Sequence, residues 1–260
     1  MRRGTVMDRP STCEKHGGLK RMFLIVLVVL GANLASCMNG DEKQAYEIVR
    51  EASSNFDDGR YDRVVQGITQ AFELVRDGEA SLASNNDGGG DWSFQRGRAY
   101  AALGNLAKAE EDFTVAIRRG SEGLVQGHLH STSSAAKQER HYRRFGAYYG
   151  ARARVRAQLG ACSKAIEDYT SAVNWYARGL RGQLDLAAVN PLLLADQKYQ
   201  ARQKGARGEA LREMGRLVWE RGALHGEVGD RERESEDRRV AASLGQAGEP
   251  PYEMHRCGLR

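Results

Sequence analysis

The chain has 260 residues, 41% of them apolar and 28% charged, with 30 Gly but only 4 Pro. That balance excludes a disordered chain, a collagen-like repeat and a Pro-rich fibre. The formal net charge is +5, yet residues 1–36 carry six basic groups against Asp8 and Glu14, so the remainder is nearly balanced at +1. A general nucleic-acid footprint needs a basic excess on the folded part, so no nucleic-acid partner is expected. Ala, Arg, Gly, Leu and Glu dominate, which favours helix over sheet.

The first predicted element is an address. Lys20 and Arg21 precede an apolar run from Met22 to Leu30, followed by Gly31 and Ala32. A membrane-spanning helix needs about 20 apolar residues. A basic flank, a short apolar core and then small residues describe a secretory signal instead, with Met7 as an alternative start. The run ends in Leu34-Ala35-Ser36-Cys37, which resembles the bacterial lipoprotein signal. The resemblance implies a signal peptide over 1–36, cleavage before Cys37, and acyl chains on that cysteine, with 37–44 as a tether. Two or three chains make a durable anchor. Met38 stands where an Asp would retain such a protein at the inner membrane, so the resemblance implies an outer-membrane lipid anchor facing the periplasm. Cys162 and Cys257 then remain, either as a disulfide in an oxidising compartment or as two free thiols.

A repeat follows. Gly97, Gly104, Ala109, Phe113 and Ala116, with Tyr100 among them, recur at the same offsets as Ala153, Gly160, Ala165, Tyr169 and Ala172, Tyr100 alone having no counterpart. The strings LGNLAKAEEDFTVAI and LGACSKAIEDYTSAV align without a gap. Small residues at Gly97/Ala153 and Ala109/Ala165 let two helices approach, Phe113 and Tyr169 fill the groove between them, and Ala116 and Ala172 close the pair. Gly104 and Gly160 end the first helix of each pair, where glycine takes a positive φ cheaply.

This pattern resembles the tetratricopeptide repeat, a helix–turn–helix unit of about 34 residues. The resemblance implies an all-α chain, a right-handed α-solenoid of three to four units with inserts. Units fall at 90–123 and 146–179, with a weaker first unit at 45–78 and a degenerate last unit at 215–248. In the last, Glu234 and Arg238 take the two packing positions of the second helix. Between the units lie a Gly-rich flexible loop (79–89), a basic insert (124–145) and a helical insert (180–214), with a tail at 249–260.

Arrays of this family bind peptides or partner helices on the face formed by the first helices. The resemblance places Tyr46, Phe94, Arg98, Arg154 and Trp219 there as candidate partner-binding residues. Arg98 and Arg154 occupy equivalent positions, and two guanidiniums could grip one carboxylate. The Lys and Asn of the family's carboxylate clamp are not matched. Residues 118–156 hold nine Lys and Arg with Tyr142, Phe145, Tyr148 and Tyr149 between them, which suits an acidic protein or an anionic headgroup, or else an ordinary solvated insert. His128, His130 and His141 lack a fourth ligand by spacing, so no metal is expected. No phosphate loop, nucleophile elbow or H-E-x-x-H motif occurs, so neither catalysis nor a cofactor is expected. The expectation is a membrane-anchored scaffold for a protein or peptide partner in envelope assembly or secretion. The alternative is an envelope hydrolase using the basic insert, and the oligomeric state is left open.

Overall fold

The protein is described by a computed structural model, which describes residues 40–75, 88–125, 135–180 and 206–246. The chain divides into residues 1–40 and 41–260, and the helices lie in the second part, with Gly40 the first residue of the first helix. Among the described residues every regular element is helical, so the all-α class holds. In chain order the elements are α1 (Gly40–Asp57), α2 (Tyr61–Leu74), α3 (Gly88–Ala102), α4 (Leu106–Val125), α5 (Ala135–Gln158), α6 (Cys162–Leu180), α7 (Ala206–Glu227) and α8 (Arg231–Ser243). The described part of the basic insert is helical: α5 begins at Ala135, ahead of residue 146. Residues 206–214 of the helical insert likewise run straight into α7. No described helix is long and apolar enough to cross a membrane.

The helices come in pairs, α1/α2, α3/α4, α5/α6 and α7/α8, and each pair turns on a glycine. Gly59, Gly104, Gly160 and Gly229 have φ of 74°, 75°, 77° and 88°. The hydrogen bonds are the same at each corner. The glycine N–H donates three residues back, and the next N–H donates five residues back, as in Gly160 to Ala157 at 3.0 Å and Ala161 to Arg156 at 2.8 Å. This Schellman arrangement satisfies carbonyls that a helix end would leave bare. Asp230 caps the start of α8 by accepting from the Arg233 N–H at 3.2 Å.

Packing within a pair depends on the small residues. A Cβ on Gly97 would stand 2.8 Å from the Phe113 ring, so glycine lets α3 and α4 close on that ring. Ala109, Ala116, Ala153, Ala165, Ala172 and Tyr169 are fully buried, and Phe113 very nearly so. Burying an aromatic ring of that size contributes about 2–3 kcal/mol. Between pairs, Gly150 on α5 admits Leu217 of α7, which sits 2.8 Å from where a Cβ would be. The largest apolar cluster therefore runs through α5, α6, α7 and α8, while a second joins α1, α2 and α3 around Trp92.

The last pair solves its polar positions locally. Glu234 stands where Ala109 and Ala165 stand in the earlier pairs. Opposite it is Gly226, in place of Ala101 and Ala157, and a Cβ there would lie 2.5 Å from the carboxylate. Glu234 turns that carboxylate to Arg231 at 2.6 Å and Arg238 at 2.8 Å. The lost methyl makes room for the acid, and two arginines hold it.

Candidate binding groove

The first helices of the last three pairs, α3, α5 and α7, line a groove of about 890 Å³. Its apolar surface comes from Phe56 at the end of α1, Phe94 and Ala101 of α3, and Ala147, Ala151 and Val155 of α5. Its described lining also holds seven arginines (98, 140, 143, 144, 154, 212 and 216) against Glu209 and Glu213. The chain is nearly neutral outside its first 36 residues, so this concentration is local.

The candidate residues separate in space. Phe94, Arg98 and Arg154 line the groove; Tyr46 and Trp219 are not among its lining residues. Tyr46 sets its ring edge against Trp92 at 5.3 Å. Trp219 packs beside the α5–α8 core with Arg238 over its ring at 5.4 Å. Phe94 lies between Phe113 and Tyr148, with ring centres 5.6 and 4.8 Å away. Tyr148 donates its hydroxyl to Asp91.

The two equivalent arginines have different surroundings. Arg98 lies over Phe56 at 4.1 Å and has no carboxylate within ion-pair distance among the described residues. Burial holds its guanidinium below the ordinary value, with only distant help from Asp57 and Tyr61. Arg154 is engaged from α7. Its Nε lies 3.0 Å from Glu220 and its Nη2 3.0 Å from Glu213. Burial alone would lower Arg154, but Glu220 and Glu213 together raise it above its ordinary value. Glu220 is fully buried, and that burial raises its carboxyl despite Arg154 and Arg216. Glu213 is also part-buried, but Arg154 and Arg216 outweigh the burial and lower it. Burial likewise pushes the Tyr169 and Tyr176 hydroxyls up, reinforced by Glu220 and Glu213 respectively. Arg154 and Glu220 thus form a buried ionic floor beneath the groove.

Sequence reasoning missed a second set of arginines. Arg96, Arg152 and Arg221 each fork onto an aspartate sixteen residues on, across the turn: Asp112 at 2.9 and 2.8 Å, Asp168 at 2.8 and 2.8 Å, and Asp237 at 2.9 and 2.6 Å. In each case the remaining Nη1 donates to a threonine of the preceding pair, Thr69 at 3.1 Å, Thr114 at 3.2 Å and Thr170 at 3.1 Å. One guanidinium thus closes its own pair and clips it to the one before. The first pair carries Glu51 and Gly67 at the Arg and Asp positions, and the last carries Arg239 at the Thr position. The clip therefore begins and ends with the helices described.

Cys162, at the start of α6, is disulfide-bonded, and its partner lies outside the described residues. Cys37, Cys257, His128 and His130 lie outside them too. His141 packs on Phe145 at 4.9 Å. Among the described residues no group of three His, Cys, Asp or Glu is placed to hold a metal ion.

No protein-family model matches the chain, and no curated protein matches it either. Among solved structures it is similar to BtubC (BKLC) from P. vanneervenii, at 13% identity over 86% of this chain and 99% of that one, with a TM-score of 0.31. That likeness is too slight to bear on the fold.

Proposed function

We propose that this chain is an α-solenoid of tetratricopeptide-like units that holds a partner protein or peptide in the α3/α5/α7 groove. In this reading it is a scaffold at the bacterial outer membrane, facing the periplasm and anchored through lipid on Cys37. The groove itself carries the proposal: three successive first helices contribute to one concavity whose lining combines apolar side chains with a local excess of arginine. Such a surface suits recognition of a segment rather than chemistry on a small molecule. Repetition of the same turn and the same arginine clip from pair to pair supports the solenoid, since stacking units of one kind buries a continuous core. A disulfide at Cys162 supports an oxidising compartment.

Site-specific photo-crosslinking in the native envelope tests the scaffold reading. A crosslinker at Ala151, inside the groove, is expected to give one adduct with a single identified protein. The same group at Ala107, away from the groove, is expected to give none. Equal labelling from both positions, or from neither, would remove the groove as the working surface.

A further inference from the structure

We propose that the segment held in the groove is acidic, and that Arg98, Arg140 and Arg212 grip its carboxylates. This rests on the scaffold reading above and adds the chemistry of the partner. Four of the seven groove arginines are held by the chain's own acids, Arg143 by Glu139, Arg144 by Asp91, and Arg154 and Arg216 by Glu213 and Glu220, and the half-buried arginines elsewhere are held in the same way. Arg96, Arg152 and Arg221 have their aspartates, and Arg156 holds Glu110 at 2.7 Å. Arg98, Arg140 and Arg212 break that rule. All three are exposed, all three line the groove, and none has a carboxylate within ion-pair distance among the described residues.

The three come one each from α3, α5 and α7, so they sample the length of the groove rather than one point on it. They do not share a position within the helix pair, and repetition of the fold does not explain them. Arg98 is held in place over the Phe56 ring at 4.1 Å, which fixes its planar head before any ligand arrives. A guanidinium presents a fork that matches a carboxylate in two hydrogen bonds. The same lining carries apolar surface from Phe94, Ala147, Ala151 and Val155. A polyanionic sugar or a phosphate chain has nothing to place there. A peptide with carboxylates spaced by apolar side chains matches both the arginines and the apolar surface.

The test uses the full chain and a short fluorescein-labelled peptide alternating Glu with Leu, followed by anisotropy. Companion peptides replace Glu by Gln or by Lys. The Glu peptide is expected to bind at least about tenfold tighter than the Gln peptide, and to weaken as salt rises. Arg98→Gln, Arg140→Gln and Arg212→Gln should each lose about threefold, and the triple variant about 30-fold, as exposed charge pairs do. The melts of Arg140→Gln and Arg212→Gln should not move, whereas Arg98→Gln also gives up its stacking on Phe56 and should melt slightly lower while staying folded. Equal binding of the Glu and Gln peptides overturns the acidic preference while leaving the groove in use. Absence of binding by all three peptides to the folded chain overturns the groove reading as well. Full affinity in the triple variant overturns the assignment of these arginines. Tighter binding of heparin or an RNA oligomer than of the Glu peptide, lost in the triple variant, would make the occupant a polyanion and overturn the peptide.

Discussion

Arg152 and Asp168 face each other across the α5/α6 turn through two parallel hydrogen bonds of 2.8 Å, and the same guanidinium reaches Thr114 of the preceding pair at 3.2 Å. Asp168 also accepts from Arg156 at 2.9 Å. Removing the acid leaves two largely buried guanidiniums short of a partner. Asp168→Ala should therefore cost about 3 kcal/mol, the usual penalty for breaking a buried pair. Thr114→Val removes only the link between pairs and should cost about 1 kcal/mol. Urea denaturation measures both. A larger loss from Thr114→Val than from Asp168→Ala would put the strength of the clip between pairs rather than within one.

The buried floor of the groove gives a stricter test, because its two charges depend on each other. Arg154→Met alone strands Glu220, which is fully buried, and should cost about 3–5 kcal/mol. Replacing both, as Arg154→Met with Glu220→Leu, removes the stranded charge and should recover most of that loss. Denaturation of the two single variants and the double variant forms a cycle. Additive losses would show that the two side chains act separately, against the geometry.

The helix pairs were legible in the sequence because their signals are local. A glycine at a fixed offset, small residues facing one another and an aromatic ring between them all lie within one unit. The arginine forks were present in the same units, with Arg96 and Arg152 just before the small residues Gly97 and Ala153, and Asp112 and Asp168 just before the rings of Phe113 and Tyr169. They went unread because the partner lies sixteen residues away and not three or four, beyond the reach of a single helix. The fate of Arg154 was not legible at all. Glu213 and Glu220 come from α7, beyond a long intervening segment, so no spacing announces them. Arg98, its equivalent, meets no such acids and lies over the Phe56 ring instead.

Two glycines separate backbone demand from packing demand. Gly160 has φ of 77°, with open space where a Cβ would go. Gly160→Ala should cost about 1 kcal/mol for the left-handed backbone alone. Gly67 lies within α2 with ordinary contacts, 3.4 Å to Ile48 and 3.6 Å to Ala52. Gly67→Ala should stabilise by about 0.5–1 kcal/mol through helix propensity and a stiffer unfolded chain. Thermal melts read both signs directly. A stabilised Gly160→Ala variant would contradict the turn geometry.

His225 sets part of the acid response. It is buried near Asp237, Arg221, Asp230 and Arg233, and burial lowers its pKa below 6.5. The fold thus favours the neutral ring. The stability this contributes is fully present above pH 6.5 and is lost as pH falls through the lowered value. Glu213 adds a further loss lower down, in the carboxylate range, whereas the raised Glu220 works in the opposite sense. The comparison of wild type with His225→Gln isolates the histidine. Urea midpoints should fall between pH 7 and pH 5 by less in the variant than in the wild type, and identical falls would exclude His225 as a contributor.

The disulfide at Cys162 bears on where the protein lives. Its possible partners in this chain are Cys13, Cys37 and Cys257. An acylated Cys37 has no thiol left to pair, and Cys13 is lost if the chain is cut before Cys37. The lipoprotein reading therefore requires Cys162 to pair with Cys257. Non-reducing peptide mapping of protein from the native envelope, with the intact mass of the same sample, decides the matter. A Cys162–Cys257 peptide on a chain that begins at an acylated Cys37 is the expected result. A Cys162–Cys37 peptide would remove the anchor, because one sulfur cannot be both thioether and disulfide. A reduced Cys162 on an unprocessed chain would place the array in a reducing compartment and withdraw the periplasmic scaffold with it.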